Sequence, residues 1–326
     1  MSFDIIRAGR AILHVTDLNK SREFYDALGF VETDSDEENI FYRGIEERNH
    51  HCLWLKKKPE AAVEAISYKM ASEKDLDALH AHFQRQGFQT KWMEKGSQTA
   101  IGRTLRIRDV SGLPIEFYAE MDQVNRMTQQ FHLHKGAKVQ RIDHFNCAVP
   151  DVEKAYDYYV KQLGFSCSEY TATEEERIWA AWLHRKPSVH DVAFMNTPGP
   201  RLHHVGFWLK DPLSLIDACD VLAAMGRGKA IERGPGRHGL SNAFFLYLRD
   251  PDGHRIELYN GDYFTGDTDF EPIRWALDDP MRQTFWGHEA PDSWFEEASE
   301  VLDIHTANKI SIKEPTLKKR KPNFVI

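Results

Sequence analysis

NCAVPDVEKAYDYYVKQLGF, residues 146–165, decides the fold, because residues 11–30, AILHVTDLNKSREFYDALGF, already carry the same pattern. Each copy reads as an apolar strand, a turn with Asp, an amphipathic helix and then Leu-Gly-Phe. The glycine suits the position just past a helix, where the backbone needs positive φ. A second pair matches further along: RDVSGLPIEFY at 108–118 and RDPDGHRIELY at 249–259. Here Asp-x-x-Gly marks a tight turn that leads into a strand. The offset is 135 residues at Gly29/Gly164 and 141 at Gly112/Gly253. Two separate matches at a nearly constant offset define an internal duplication.

Working outward, residues 73–87 and 213–226 form the second amphipathic helix of each half, and both end in Gly. Each half therefore orders as strand, helix, strands, helix, strand. The expected fold is α+β, built from tandem βαβββ modules, two per half, paired into a cupped sheet. Expected boundaries are 1–135 for a non-catalytic N-terminal module pair and 136–262 for a catalytic pair. Residues 263–326 break the pattern and are expected to cover the site, ending in a mobile basic tail that contains KKRKPN.

A hydrophobic content of 41% with 12% aromatic is enough for a sizeable core. The net charge of −8 argues against nucleic acid as the partner. No apolar run reaches the roughly 18 residues of a membrane span. The start, MSFDIIRAGRAILHV, has no secretory h-region, and Cys52, Cys147, Cys167 and Cys219 show no pairing motif. Reduced thiols and a cytoplasmic location are expected.

His144, His204 and Glu257 lie in three separate strand segments: RIDHFNCAVPD, PRLHHVGFWL and DPDGHRIELY. Two imidazoles and a carboxylate suit a divalent first-row metal with open positions. Strand alternation puts Ile256 and Leu258 on one face, with Glu257 and Tyr259 on the other. A buried carboxylate is costly unless it is paired or metal-bound. The duplication supplies an internal control. His14 is read in the place of His144, Glu116 in that of Glu257, and Ser67 at about that of His204. A hydroxyl does not replace an imidazole, so the first half is expected to be structural. His203 should face away from His204 by alternation, and His254 should lie at the surface in its turn.

Together, DHFNCAVPD, AAWLHRKPSVHD, GPRLHHVGF and ERGPGRHGLSNAFFLYLRDPDGHRIELY resemble the type I extradiol catechol dioxygenases of the vicinal oxygen chelate superfamily. The resemblance covers roughly residues 1–300 and implies paired βαβββ modules. It implies Fe(II), with Mn(II) as the alternative, held by His144, His204 and Glu257. It implies His190 as the acid–base residue, with Tyr247, His238 and Asn146 in the catalytic pocket. Arg233, Trp182, Arg282 and Trp294 would contact substrate. The implied partners are a small aromatic diol and O2, with 3,4-dihydroxyphenylacetate or a related catechol opened to 5-carboxymethyl-2-hydroxymuconate semialdehyde. A homo-oligomer, a tetramer in this family, is also implied. One departure stands out: where the member of the family that cleaves 3,4-dihydroxyphenylacetate has two adjacent arginines, this chain has Arg282 followed by Gln283. A glyoxalase-like isomerase on the same scaffold, or a non-enzymatic small-molecule-binding protein, stays open as an alternative.

Overall fold

A computed structural model describes residues 3–317. The first half contains β1 (Ile5–Val15), α1 (Leu18–Ala27), β2 (Val31–Ser35), β3 (Asn39–Arg43), β4 (Leu53–Lys57), β5 (Ala62–Met70), α2 (Glu73–Arg85), β6 (Thr90–Met93), β7 (Thr104–Arg108) and β8 (Pro114–Tyr118). The second half repeats that order with β9 (Arg141–Val149), α3 (Val152–Leu163), β10 (Ser166–Ala172), β11 (Ile178–His184), β12 (Val192–Asn196), β13 (Arg201–Trp208), α4 (Leu213–Ala224), β14 (Ile231–Arg237), β15 (Phe244–Arg249) and β16 (Arg255–Asn260). Four βαβββ modules result, as the duplication required. The extension adds β17 (Ile273–Ala276), α5 (Pro280–Gln283), α6 (Asp292–Glu296) and β18 (Ser299–Glu300).

Local chemistry starts and stops the helices where the repeat placed them. Asp17 and Asp151 cap α1 and α3 by accepting backbone N–H bonds, and Gly164 ends α3 at φ +75°. Within each half the first strands of the two modules pair antiparallel at the centre. The orders are β2-β3-β4-β1-β5-β8-β7-β6 and β14-β15-β16-β13-β9-β12-β11-β10-β17.

A single apolar core runs between the halves, with Phe30 edge-on to Phe207 at 4.7 Å and Tyr68 against Phe145. The duplicated turns lock it reciprocally. Tyr25 on α1 donates to Asp250 at 3.0 Å, and Tyr159 on α3 donates to Asp109 at 3.1 Å. A second apolar cluster fills the cup of the second sheet, where Leu277, Ala290 and Trp294 of the extension pack on Trp179, Trp182, Met195 and Tyr247. The extension thus closes that cup with apolar surface from above.

Part of the expected mobile tail is docked. Lys313 N donates to Gly199 O at 2.7 Å, Thr316 N donates to Pro150 O at 2.7 Å, and Asn196 donates to Leu317 O at 2.9 Å. The basic run KKRKPN lies outside the described residues. No helix among the described residues is long and apolar enough to cross a membrane.

Candidate active site and metal centre

Strand register brings the three expected ligands together. On the inner side of the second sheet, β9 puts His144 opposite Gly206 of β13, and β16 puts Glu257 beside the same glycine. Any side chain at position 206 would overlap the His144 ring, so the close approach requires glycine. His204 follows on β13. His144 Nε2 lies 2.9 Å from Glu257 Oε2 and 3.3 Å from His204 Nε2, and His204 Nε2 lies 3.0 Å from the same carboxylate oxygen. All three residues are buried, and they form a metal-competent cluster.

These distances fit a resident divalent ion. Adjacent ligands on an octahedron with bonds of roughly 2.1 Å are about 3.0 Å apart. Asp143 Oδ2 lies 3.0 Å from His144 Nδ1. With the ring proton on Nδ1, the Nε2 lone pair is free for the cluster. Burial opposes charge on His144, but Asp143 and Glu257 on either side raise its pKa to about 9. Burial dominates at His204 and lowers it to about 4.

A buried-walled cavity opens beside the cluster. Its wall includes His190, Tyr247, His238, Asn146, Trp182, Trp294 and Arg282, as well as Gln283. The His190 ring lies 3.9 Å from that of His144, and its buried Nδ1 has no hydrogen-bond partner. Burial, then His144, keep its pKa well below the ordinary range. His238 Nδ1 donates to the Gln283 carbonyl, so its Nε2 accepts from the Tyr247 hydroxyl at 3.0 Å. Arg282 Nε, Asn146 Oδ1 and Gln283 Oε1 are buried without partners. Trp179, Met195 and Tyr259 also line it. Nothing in the sequence marks the first two beyond their apolar character.

Arg233 is not brought to the wall of this cavity. Its guanidinium lies 4.7 Å from the ring centroids of Phe245 and Trp294, and it donates to Thr284 Oγ1 at 2.7 Å and to the Gln283 carbonyl at 3.2 Å. It braces the aromatic wall from behind. Arg282 is the cavity's arginine. His254 is buried, not at the surface: one ring nitrogen is 2.8 Å from Ser299 Oγ and the other 2.9 Å from the His14 carbonyl.

The counterpart site in the first half differs from the expectation. There β1 puts Arg10 opposite Ser67, and β8 puts Glu116 beside Ser67. Arg10 therefore stands for His144, Ser67 for Gly206 and Ala65 for His204. His14 lies four residues away and contacts Glu64 at 3.0 Å. Glu116 is fully buried and accepts from Arg10, Arg106, Gln98, Thr104 and Ser67. The Arg10 guanidinium takes the place of His144, and Arg106, in the register position of Tyr247, puts a second cation on Glu116. The first half is not a metal site that lost one ligand. It carries fixed cations of its own.

The Glyoxalase/Bleomycin resistance protein/Dioxygenase superfamily matches residues 141–258, and the catechol 2,3-dioxygenase-like N-terminal domain matches residues 63–122. A manganese-dependent 2,3-dihydroxybiphenyl 1,2-dioxygenase from Geobacillus genomosp. 3 is 30% identical over 300 residues, covering 88% of this chain and 95% of that protein. Homoprotocatechuate 2,3-dioxygenase from Arthrobacter globiformis superposes with a TM-score of 0.92 at 43% identity, covering 95% of this chain and 96% of that one. The Brevibacterium fuscum homoprotocatechuate 2,3-dioxygenase, in complex with 3,4-dihydroxyphenylacetate, gives 0.93 at 42%, covering 96% and 98%. Fold, site and relatives together define a metal-dependent enzyme of the glyoxalase/dioxygenase superfamily. Within it, the chain belongs to the extradiol ring-cleaving catechol dioxygenases. The isomerase and binding-protein alternatives give way to that assignment.

Proposed function

We propose that this enzyme cleaves 3,4-dihydroxyphenylacetate, or a catechol with a similarly short polar side chain, at the bond beside the diol. Both atoms of O2 enter the product, 5-carboxymethyl-2-hydroxymuconate semialdehyde. The observation that carries the reading is one cavity lined by the two-histidine, one-carboxylate cluster together with Arg282, whose Nε has no partner. An arginine donor is the right group for a carboxylate, and Gln283 beside it offers an amide. Relatives of known substrate support the choice.

His144, His204 and Glu257 would hold Fe(II), with Mn(II) the alternative. When bound, the ion acidifies the catechol and joins an electron-rich ring to O2. The chain supplies the rest. Asp143 holds His144 in the ligand tautomer. Trp179, Trp182 and Trp294 exclude water and set the ring's plane. His190, neutral and with a free Nδ1, takes a proton from the diol or returns one to the oxygen that opens the ring. Tyr247 passes its hydrogen bond to His238 and so presents its oxygen as an acceptor. Asn146 offers an amide to the substrate. Residues 136–262 are the catalytic unit in this reading, residues 1–135 its structural partner, and 263–326 its cover. The free state of all four cysteines supports a cytoplasmic setting. Exposed Met281, Phe285 and Trp286 support association of copies into the homotetramer expected of the family.

The test is anaerobic loading with Fe(II), then addition of 3,4-dihydroxyphenylacetate and air. A yellow product with O2 uptake is expected. No colour and no uptake with any catechol at full metal occupancy would overturn the proposal.

A further inference from the structure

We infer that His203 is a positioning residue that fixes the tautomer of His204 and ties that ligand to the C-terminal extension. The inference rests on His144, His204 and Glu257 being the metal site. On β13, Leu202 pairs with Cys147 and His204 pairs with Asn146, which leaves His203 without a partner on β9. A bulge of this kind places two successive side chains on one face. Leu202 and Val205 accordingly enter the core below the sheet, while His203 and His204 both lie above it. Their Nδ1 atoms are 2.7 Å apart.

The proton positions follow from one fixed acceptor. His203 Nε2 lies 2.8 Å from the Trp294 carbonyl, which can only accept, so Nε2 carries the hydrogen. The Nδ1 of the neutral His203 ring is then an acceptor, and His204 Nδ1–H donates to it. That leaves a lone pair on His204 Nε2, directed at Glu257 and His144. The opposite tautomer would put a hydrogen where an ion must bind. Arg255 holds both ends of this chain, donating to the His203 carbonyl at 3.1 Å and, beside Trp294, to the Ser293 carbonyl at 3.1 Å. Trp294 also lines the cavity, so one imidazole couples a wall of the substrate pocket to a ligand of the ion.

His203→Asn keeps an acceptor near the Nδ1 position and loses the bond to Trp294. His203→Gln keeps the donor toward Trp294 and loses the acceptor for His204. His203→Leu loses both. The readout is the Kd for Mn(II) of the metal-free full-length protein, measured by chelator competition, together with the Mn(II) EPR spectrum. His203→Gln and His203→Leu should weaken Mn(II) by about 10–100-fold, as removal of such outer partners does, and change the spectrum. His203→Asn should stay within severalfold of wild type. Wild-type affinity in His203→Gln, or equal weakening in the Asn and Leu variants with near-UV CD intact, would overturn the inference. His204→Ala separates the two levels: tight Mn(II) binding retained there would overturn the metal site itself.

Discussion

Arg10→Met tests whether the first half is held together by cations of its own. Arg10 is fully buried and reaches Glu116 from Nε at 3.1 Å and from Nη2 at 2.5 Å, with further bonds to Gln98 and His51. Methionine keeps much of the stem and removes all of these. Glu116 would keep Arg106 at 2.8 Å and the Gln98, Thr104 and Ser67 donors, so its charge is not orphaned. The loss is dominated by two charge-assisted bonds, about 1.5–3 kcal/mol each, or about 3–6 kcal/mol in all. Glu116→Gln should cost more, because it leaves two buried guanidiniums sharing a neutral acceptor. The double variant should lose less than the two single losses added, with a coupling of about 2 kcal/mol. Urea unfolding of the four proteins measures this, and metal analysis should find one ion per chain in each. A loss below about 1 kcal/mol for Arg10→Met, or additive single effects, would refute the reasoning.

Three further outcomes follow from the residues around the cavity, and one from the clasp that holds its cover. Glu257→Gln removes the anionic ligand and should abolish tight Mn(II) or Fe(II) retention, read by metal analysis after dialysis. His190→Phe should lower kcat by about 10²–10⁴-fold, the usual range for a lost acid–base group, with metal content unchanged. Gln283→Arg adds a second cationic donor at the cavity wall. It should raise kcat/KM for 3,4-dihydroxyphenylacetate by roughly tenfold, with no such gain for 4-methylcatechol, read by O2 uptake. Glu232 pairs with Arg255 at 2.5 Å and with Arg249 at 2.8 Å. Burial opposes its ionisation, but the two arginines outweigh that and hold its pKa at about 2. A lowered folded pKa stabilises the protein above the ordinary carboxyl range, and the gain is lost as pH falls from about 4.5 toward 2. Glu232→Gln should therefore cost about 3 kcal/mol at neutral pH and flatten the acid limb of a stability profile.

The sequence by itself determined the modules and picked out the three residues that the structure brings together. Two repeats of strand, Asp turn and helix specify four βαβββ units, because a 3.6-residue period, a capping Asp and a terminal Gly are local signals. His144, His204 and Glu257 were legible because their residue types are rare on buried strands. Only the tertiary structure decided what depends on register. The offset between halves is 134 residues at Arg10 and 141 at Glu116, so a motif match set His14 four residues out of place. The bulge at His203 reverses the in–out parity of β13, and parity drawn from alternation fails at a bulge. Arg233 and Arg282 are the same residue type in equally polar stretches. Aromatic packing from β15 and α6 places one behind the cavity wall, and α5 places the other on it. Arg233 is 12 positions from Phe245 but 61 from Trp294, and a sequence read locally contains nothing that ranks the two arginines.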